Sequence, residues 1–286
     1  MGASLEAKCA LVVGRLSGVR GLVVALSGGV DSSVLLLLAL RALGRDRVLA
    51  ATGRSPSLAR SEMEDAAGVA MRLGARHLFV DTGELGNPEY RANTGQRCFH
   101  CRDELFRALR DVARREGLAA IAYGAIADDL EDDRPGMRAA ASHGVLAPLI
   151  DAGLTKDEVR EVAATAGIAV SDKPAGACLS SRIPVGTEVT PERLRQVEDA
   201  EAGLRSLGLR RLRVRHHGDV ARLELDAEGE RLLADPDFRS KAALAVRRAG
   251  FRFATLDLEG YRRAGLATPL LSLGPTGSGP NRDAGQ

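Results

Sequence analysis

The chain has 286 residues, of which 45% are hydrophobic, 27% charged and 3% aromatic, and its formal net charge is +2. This composition fits a globular protein with a sizeable core, in one large domain or two smaller ones. The nearly neutral charge argues against a nucleic-acid partner, because proteins that bind nucleic acids usually carry a broad basic surface. No run reaches the roughly 20 apolar residues that span a bilayer, and the N-terminus lacks a secretory signal pattern, so we expect a cytoplasmic protein without a membrane partner.

Short apolar segments alternate with longer helical patterns over residues 1–172. The predicted strands are 22–26, 48–53, 77–81, 120–124 and 145–150, and the predicted helices are 34–43, 57–73, 102–116 and 155–166. This alternation predicts an α/β fold with a doubly wound parallel sheet. Since ligands bind at the carboxyl ends of such strands, the loops that follow them should share one cleft.

The pattern changes after residue 172. Residues 173–189 are rich in Gly, Pro and Ser and predict a cysteine-containing loop and linker. Residues 190–265 then predict a small α+β domain for substrate or for oligomerisation. Its predicted elements are a helix 190–207, strands 212–215 and 221–225, a helix ending at Ala249 and a strand 251–256. The polar tail 266–286 is expected to be disordered.

A glycine- and serine-rich loop follows the first predicted strand and opens a helix: Ser27, Gly28, Gly29, Val30, Asp31, Ser32 and Ser33. Glycines let the backbone approach a phosphate, N–H groups at a helix start point towards it, and Asp31 can hold Mg²⁺. A plain glycine-rich turn is the alternative. The loop has no Lys, unlike loops that handle a transferred γ-phosphate. It resembles the pyrophosphate-binding loop of the ATP pyrophosphatase superfamily, whose members cleave ATP between its α- and β-phosphates.

Four cysteines are present, and two of them form a Cys-x-x-Cys pair, Cys98 and Cys101. In a reducing compartment such a pair favours metal binding or redox chemistry. Together with Cys178 it provides three thiolates, which suffice for a [4Fe–4S] cluster with one iron left open to deliver sulfur. A structural zinc pair joined by His100, or two buried thiols, are the alternatives. Cys9 lies in an apolar stretch and is expected to be a small core residue.

The most distinctive segment is residues 173–186, which contains Cys178 and Arg182. It resembles the cysteine loop of the LarE family, the pyridinium-3,5-biscarboxylic acid mononucleotide sulfurtransferases. The resemblance runs from the phosphate loop to about residue 260, with further matches at 127–129, 132–136, 212–219 and 221–224. One departure is Ile126, where an Asn is expected. Because Ile has no amide, it weakens the expectation that Asp128 and Asp129 are site residues.

The resemblance implies a two-stage reaction at each of two carboxylates, with Asp31 and Cys178 as the catalytic residues. ATP adenylates the carboxylate, and sulfur then displaces AMP, which yields the dithio ligand of a nickel-pincer cofactor. In some members the cysteine matching Cys178 gives up its own sulfur and becomes dehydroalanine. In others three cysteines hold a cluster, and the trio in this chain favours that version. The sulfur source stays unnamed.

Arginines near the cysteine loop are the candidates for the substrate phosphate: Arg182, Arg213 and Arg215. Guanidinium groups suit phosphate oxygens, and alternate residues on a strand share one face. Glu224 could orient an arginine or bind a metal. The alternatives are a solvated basic face on an edge strand and a surface carboxylate.

Two rival functions stay open at this stage. A tRNA thiolase could combine the same ATP loop with three cluster cysteines, although the charge and the scarce aromatics argue against RNA. A non-catalytic nucleotide-binding regulator could use the cysteines for zinc. We expect a small-molecule substrate and a homo-oligomer.

Overall fold

The structure is a computed structural model that describes residues 2–131, 135–168 and 178–261. Four parts of the sequence predictions lie outside these residues: Asp132, Arg134, the loop residues 173–177 and the tail 266–286. In the described part, no helix is both long and apolar enough to cross a membrane.

The first sheet has four parallel strands in the order β3-β2-β1-β4. These are β1 (Leu22–Ala25), β2 (Val48–Arg54), β3 (Arg76–Asp81) and β4 (Ala120–Tyr123). The chain moves outwards from β1 to β2 and β3, then returns to place β4 on the other side of β1. The topological switch point therefore lies between β1 and β4. In such sheets ligands bind there, outside the carboxyl ends of the strands. The predicted doubly wound architecture is confirmed.

Helices cover both faces of this sheet. They are α1 (Ala3–Ser17), α2 (Val30–Leu43), α3 (Arg60–Leu73), α4 (Pro88–Arg91), α5 (Arg97–Arg115), α6 (Pro135–Ser142), α7 (Pro148–Asp151) and α8 (Lys156–Thr165). Residues of α1, α2, α3 and α8 form the core on one face. Phe106, Leu109 and Val112 of α5 form much of the core on the other. Cys9 is buried in the first of these cores, as its apolar surroundings predict.

Two sequence predictions in this part are wrong, and one helix was missed. The predicted fifth strand 145–150 is reduced to a single bridge between Leu146 and Ala122, because Pro148 lacks the N–H of a ladder residue and begins α7. Helix α5 begins at Arg97 rather than near residue 102, so the Cys-x-x-Cys pair lies on the helix. Helix α1 was not predicted, although its buried residues follow helical spacing.

The second sheet has three strands in the order β5-β6-β7. Strands β5 (Leu212–His217) and β6 (Val220–Leu225) are antiparallel, whereas β7 (Phe253–Leu256) runs parallel to β6. Helix α9 (Pro191–Ser206) packs against this sheet. The predicted helix ending at Ala249 is two helices, α10 (Ala227–Leu233) and α11 (Pro236–Arg248), because Asp235 caps a new helix that starts with Pro236.

The core of this second part includes one residue from far earlier in the chain. Tyr90 of α4 is 1% exposed and packs with Leu179, Ile183 and Val214. The segment that carries the Cys-x-x-Cys pair is therefore joined to the small α+β part by shared packing.

Candidate active site

The phosphate loop lies between β1 and α2, at the switch-point edge of the first sheet. Gly28 has φ +75°, a left-handed conformation that favours glycine, and a Cβ there would lie 3.0 Å from the backbone nitrogen of Ala66 in α3. Ser32 and Ser33 are buried, and their hydroxyls donate to the Gly29 carbonyl at 3.0 and 2.8 Å. Ser27 stays exposed at the mouth of the loop. The loop is thus held in shape by its own serines. The backbone N–H groups at the start of α2 are the kind of groups that bind an anion.

A lysine reaches this loop from a distant part of the chain. The Nζ of Lys156, in the first turn of α8, lies 2.8 and 2.7 Å from the two carboxylate oxygens of Asp31. Burial raises the pKa of Asp31 above its usual value, and the nearby charge of Asp129 raises it further, while the Lys156 ion pair opposes both. Sequence reasoning missed Lys156 because 125 positions separate the two residues. The predicted cap at Thr155 was the one available signal, since it places Lys156 at a helix start.

Two aspartates stabilise the connection after β4, and one of them also binds the start of α8. Asp128 Oδ2 accepts the backbone N–H of Lys156 at 2.5 Å, and Asp129 Oδ2 accepts the backbone N–H of Ile126 at 3.1 Å. Ile126 is 3% exposed and packs into the core under α2. The side chain that replaces the expected Asn therefore packs in the core, and the backbone of the same residue bonds to Asp129.

The three candidate cysteines occupy one neighbourhood. Cys98 and Cys101 are three positions apart on one face of α5, and Cys178 caps the short 3₁₀ turn Leu179–Arg182. Burial raises the pKa of the Cys101 thiol strongly, and charges on Glu84, Cys178 and Cys98 raise it further, in that order. Cys98 is exposed, whereas Cys101 and Cys178 are half-buried.

These thiols are not spaced as a preformed metal site. Within residues 2–131, 135–168 and 178–261, no group of three or more His, Cys, Asp or Glu side chains is arranged to hold a metal ion. His100, the fourth ligand of the zinc alternative, has its Nε2 3.2 Å from the carboxylate of Glu89. Glu84 lies beside Cys101, is 2% exposed, and accepts a hydrogen bond from Ser55 at 2.5 Å.

A buried chain of hydroxyls anchors the turn that follows Cys178. The Tyr90 hydroxyl lies 2.6 Å from Ser57 Oγ and 2.6 Å from Ser180 Oγ. The backbone N–H of Leu179 donates to the Ser57 carbonyl at 2.8 Å. Ser57 lies in the loop after β2, at the same sheet edge as the phosphate loop. Cys178 is therefore held on the nucleotide side of the sheet.

Asn93 holds the next part of the same segment. It adopts φ +53°, and its amide Nδ2 donates to the carbonyls of Pro184 at 2.7 Å and Thr187 at 3.0 Å. Arg97, one residue before Cys98, donates to the Ser180 carbonyl at 2.7 Å. The helix start that carries the cysteine pair and the segment that carries Cys178 are fixed to each other by these bonds.

The candidate phosphate arginines are gathered and largely buried. Arg182 is 7% exposed and Arg213 is 3% exposed, and Arg215 is half-buried beside them. Burial lowers the pKa of Arg213, and the positive charges of Arg182 and Arg215 lower it further. The alternative of a solvated basic face is therefore wrong. Arg182 and Arg215 are each ion-paired with a buried carboxylate, which neutralises part of this positive charge.

Two buried carboxylates orient these arginines. Glu224, 2% exposed, accepts from Arg215 Nε and Nη2 at 2.8 and 3.0 Å, so the surface-carboxylate alternative is also wrong. Glu201 in α9, which sequence reasoning missed, accepts from Arg182 Nε at 2.9 Å and from the backbone of Val214 at 3.1 Å. Burial opposes ionisation of Glu201, but the Arg182 charge outweighs it and holds the pKa of this carboxyl below its usual value.

The sequence of this chain is similar to those of several known proteins. The sequence profile of the NAD synthase family matches residues 10–106, which include the phosphate loop. An uncharacterised protein of Synechocystis is 41% identical over 239 residues, 84% of this chain and 89% of the relative. The pyridinium-3,5-bisthiocarboxylic acid mononucleotide synthase of Lactiplantibacillus plantarum is 36% identical over 262 residues, 91% of this chain and 94% of that enzyme. The chain belongs to the LarE family.

Membership in the LarE family confirms the family predicted from the motifs. This LarE-family chain is an ATP-dependent sulfurtransferase, and its nucleotide domain is of the type found in NAD synthases.

Proposed function

We propose that this LarE-family enzyme adenylates the carboxylates of pyridinium-3,5-biscarboxylic acid mononucleotide and replaces oxygen with sulfur, in biosynthesis of the nickel-pincer cofactor. The similarity to the Lactiplantibacillus plantarum synthase over 91% of this chain carries the proposal. The printed name of that relative describes the doubly thiolated product. The position of Cys178 on the nucleotide side of the sheet supports the assignment.

The phosphate loop is proposed to bind ATP for the first step. Ser27, Gly28, Gly29, Ser32 and Ser33 would surround the β- and γ-phosphates, with backbone N–H groups of the α2 start directed at them. A carboxylate oxygen of the substrate attacks the α-phosphorus, the bond to the β-phosphate breaks, and pyrophosphate leaves. The resulting acyl adenylate has AMP as its leaving group, which a free carboxylate lacks.

Asp31 is proposed to hold Mg²⁺ together with the phosphate oxygens. Its half-buried carboxylate offers the oxygen ligands that this ion prefers, and it is ion-paired with the ammonium of Lys156. Bound Mg²⁺ would neutralise charge on the departing pyrophosphate.

The buried arginines are proposed to bind the phosphate of the mononucleotide. Arg182, Arg213 and Arg215 combine three positive charges with rigid support from Glu201 and Glu224. Arg182 also donates to the Cys178 carbonyl at 3.2 Å, which links this cluster directly to the cysteine turn. A substrate held there by its phosphate would present its ring near Cys178.

We propose that Cys98, Cys101 and Cys178 bind a [4Fe–4S] cluster. The donors fit in kind, because three thiolates can hold such a cluster with one iron left open, and the exposed Cys98 leaves an approach from solvent. The spacing is not preformed, so we expect the thiols to close in when a cluster is inserted. When bound, the cluster would supply sulfur repeatedly from an open iron.

The alternative is direct donation by Cys178. Its Sγ would attack the acyl carbon, forming a C–S bond and releasing AMP. Loss of the Cα proton with cleavage of the Cβ–Sγ bond would then leave dehydroalanine in the chain and sulfur on the substrate. The half-buried position of Cys178 beside Arg182 is compatible with this route as well.

The domain limits remain a proposal too. We propose an ATP domain over residues 1–172, a cysteine loop and linker over 173–189, and a small domain for substrate or oligomerisation over 190–265. Arg213 and Arg215 on β5 support a substrate role for the small domain, and Arg182 would add a contact from the linker.

The test is incubation of purified enzyme with ATP, Mg²⁺ and the pyridinium dicarboxylate mononucleotide. We expect AMP and pyrophosphate that depend on the substrate, together with a product in which sulfur replaces oxygen by mass spectrometry. AMP formation that depends on tRNA and not on the mononucleotide would instead support a tRNA thiolase. Absence of any pyrophosphate would contradict both.

A further inference from the structure

The phosphate loop has no lysine of its own, but the fold brings one to it. The Lys156 ammonium contacts both oxygens of Asp31 at 2.7–2.8 Å, and the two side chains keep only 27% and 25% of their exposure. Asp31 lies in the first turn of α2, where N–H groups point towards the proposed phosphates. The ammonium of Lys156 therefore lies next to the proposed phosphate site, where a cation could neutralise phosphate charge.

The backbone of Lys156 is fixed, whereas its side chain is long and rotatable. Its N–H is bonded to Asp128, and a capping box between Thr155 and Glu158 closes the same helix turn. A fixed base with a flexible four-carbon arm lets the ammonium move by a few ångströms without moving the helix.

We propose that Lys156 is an exchangeable counter-ion that passes from Asp31 to the pyrophosphate of ATP. In this structure it neutralises Asp31, whose burial penalises an unpaired charge. Mg²⁺ arriving with ATP needs the same carboxylate oxygens, so it must displace the ammonium. The displaced ammonium then pairs with the phosphate oxygens next to it. This inference rests on the proposed ATP cleavage.

The role of Lys156 in the chemical step is electrostatic. As the substrate oxygen bonds to the α-phosphorus, the electron pair of the breaking P–O bond moves onto the departing pyrophosphate. Lys156 donates hydrogen bonds to that growing charge and transfers no proton. The other charged groups that act on Asp31 are Asp129 and Arg160. Lys156 is hydrogen-bonded to both oxygens of Asp31, whereas Arg160 pairs with Asp157 at 3.6 Å and acts on Asp31 through its charge.

The test compares Lys156→Met with Lys156→Arg and with Lys8→Met as a matched control. Lys8 also contacts both oxygens of a half-buried carboxylate, Glu158, on the same helix α8. The first readout is binding of Mn²⁺, a spectroscopic substitute for Mg²⁺, to the nucleotide-free enzyme by electron paramagnetic resonance. The second is the single-turnover rate of pyrophosphate release with the mononucleotide substrate.

We expect Lys156→Met to bind Mn²⁺ about tenfold more tightly, because the competing ammonium is gone. The same variant should release pyrophosphate about a hundredfold more slowly, because the leaving group loses a charged donor. Lys156→Arg should keep Mn²⁺ affinity and pyrophosphate release between those of wild type and Lys156→Met. That result would show that the positive charge at this position, rather than the fold, is responsible. Lys8→Met should match wild type in both.

Unchanged Mn²⁺ affinity in Lys156→Met, or unchanged pyrophosphate release, would overturn the exchange. If wild type releases pyrophosphate and Lys156→Met does so equally fast, the exchange alone is wrong. If wild type releases none, the proposed ATP cleavage is wrong as well.

Discussion

Gly124 lies so close to Ser32 that a Cβ on the glycine would be 2.6 Å from the serine backbone nitrogen. Gly124 directly follows β4, and Ser32 belongs to the phosphate loop at the start of α2. The contact joins the two strand-to-helix connections at the switch point of the sheet. The N–H groups proposed to face the phosphates are thus positioned by a residue without a side chain.

Gly124→Ala should therefore weaken ATP binding while the fold persists. The new methyl group must push the start of α2 away, since the atoms it meets are backbone atoms. We expect the KM for ATP to rise about tenfold or more, because a shift of a phosphate loop by even 1 Å is costly. Steady-state pyrophosphate release at varied ATP measures this. Gly18→Ala, where a Cβ meets nothing within 4 Å, should behave as wild type.

The local pattern of the sequence predicted the parallel strands and the phosphate loop that meet at this site. Apolar runs bounded by glycine gave the four parallel strands, and Ser27–Ser33 marked the nucleotide loop. Residue pairs distant in sequence could not be predicted in the same way. Lys156 meets Asp31 only because α8 packs against α2, and Glu201 meets Arg182 only because α9 packs against the cysteine turn.

Asp31→Asn should abolish AMP formation without unfolding the protein. The amide cannot bind Mg²⁺ as a carboxylate does, and its loss of charge leaves Lys156 without an ionic partner. We expect the rate of AMP formation, followed by chromatography, to fall at least about a hundredfold. Asp111→Asn alters an exposed ion pair on α5 and serves as the control. AMP formation at the wild-type rate in Asp31→Asn would remove Asp31 from the proposed mechanism.

Tyr90→Phe should impair sulfur transfer more than ATP cleavage. The hydroxyl bridges Ser57 and Ser180, so its loss frees the turn after Cys178 and costs about 1–3 kcal/mol in unfolding free energy. We expect thiolated product to form about tenfold more slowly, while pyrophosphate release stays near wild type. The two rates are measured in one reaction by mass spectrometry and a pyrophosphate assay. Equal losses in both would show that Tyr90 does not position Cys178 specifically.

Glu201→Gln should remove a pH-dependent part of the stability. The pKa of Glu201 is below its usual value because the Arg182 and Arg205 charges outweigh burial. Its ionised form therefore stabilises the fold above its unfolded pKa of about 4.3, and this contribution is lost as the pH falls through the lower folded pKa. At pH 7 the variant should lose about 3–5 kcal/mol, because Arg182 is left buried without its carboxylate.

Urea unfolding at pH 7 and at lower pH measures the Glu201 effect. The difference between wild type and Glu201→Gln should shrink as the pH falls well below 4, since both proteins then lack the charge. Glu64→Gln, an exposed position on α3, should show neither the loss nor the pH dependence. A constant difference at all pH values would contradict the ionic origin of this stabilisation.

The arrangement of the cysteine segments could not be predicted from the sequence. The resemblance selected Cys98, Cys101 and Cys178, but it could not show that Tyr90 and Asn93 fix the two cysteine segments to each other. Those bonds depend on a shared core between α4 and the small α+β part, which has no signature in local periodicity. The relative placement of the two cysteine segments is a property of that packing.

The proposal that three cysteines form one sulfur-delivery site is tested most directly by metal analysis combined with intact-mass measurement. Enzyme purified without oxygen should contain iron and acid-labile sulfide in equal amounts, and its mass should be unchanged after turnover. Cys98→Ser, Cys101→Ser and Cys178→Ser should each lose the iron, whereas Cys9→Ser, in the core around α1, should retain it. Iron-free enzyme that forms product while Cys178 becomes dehydroalanine would contradict the cluster and establish donation by Cys178 itself.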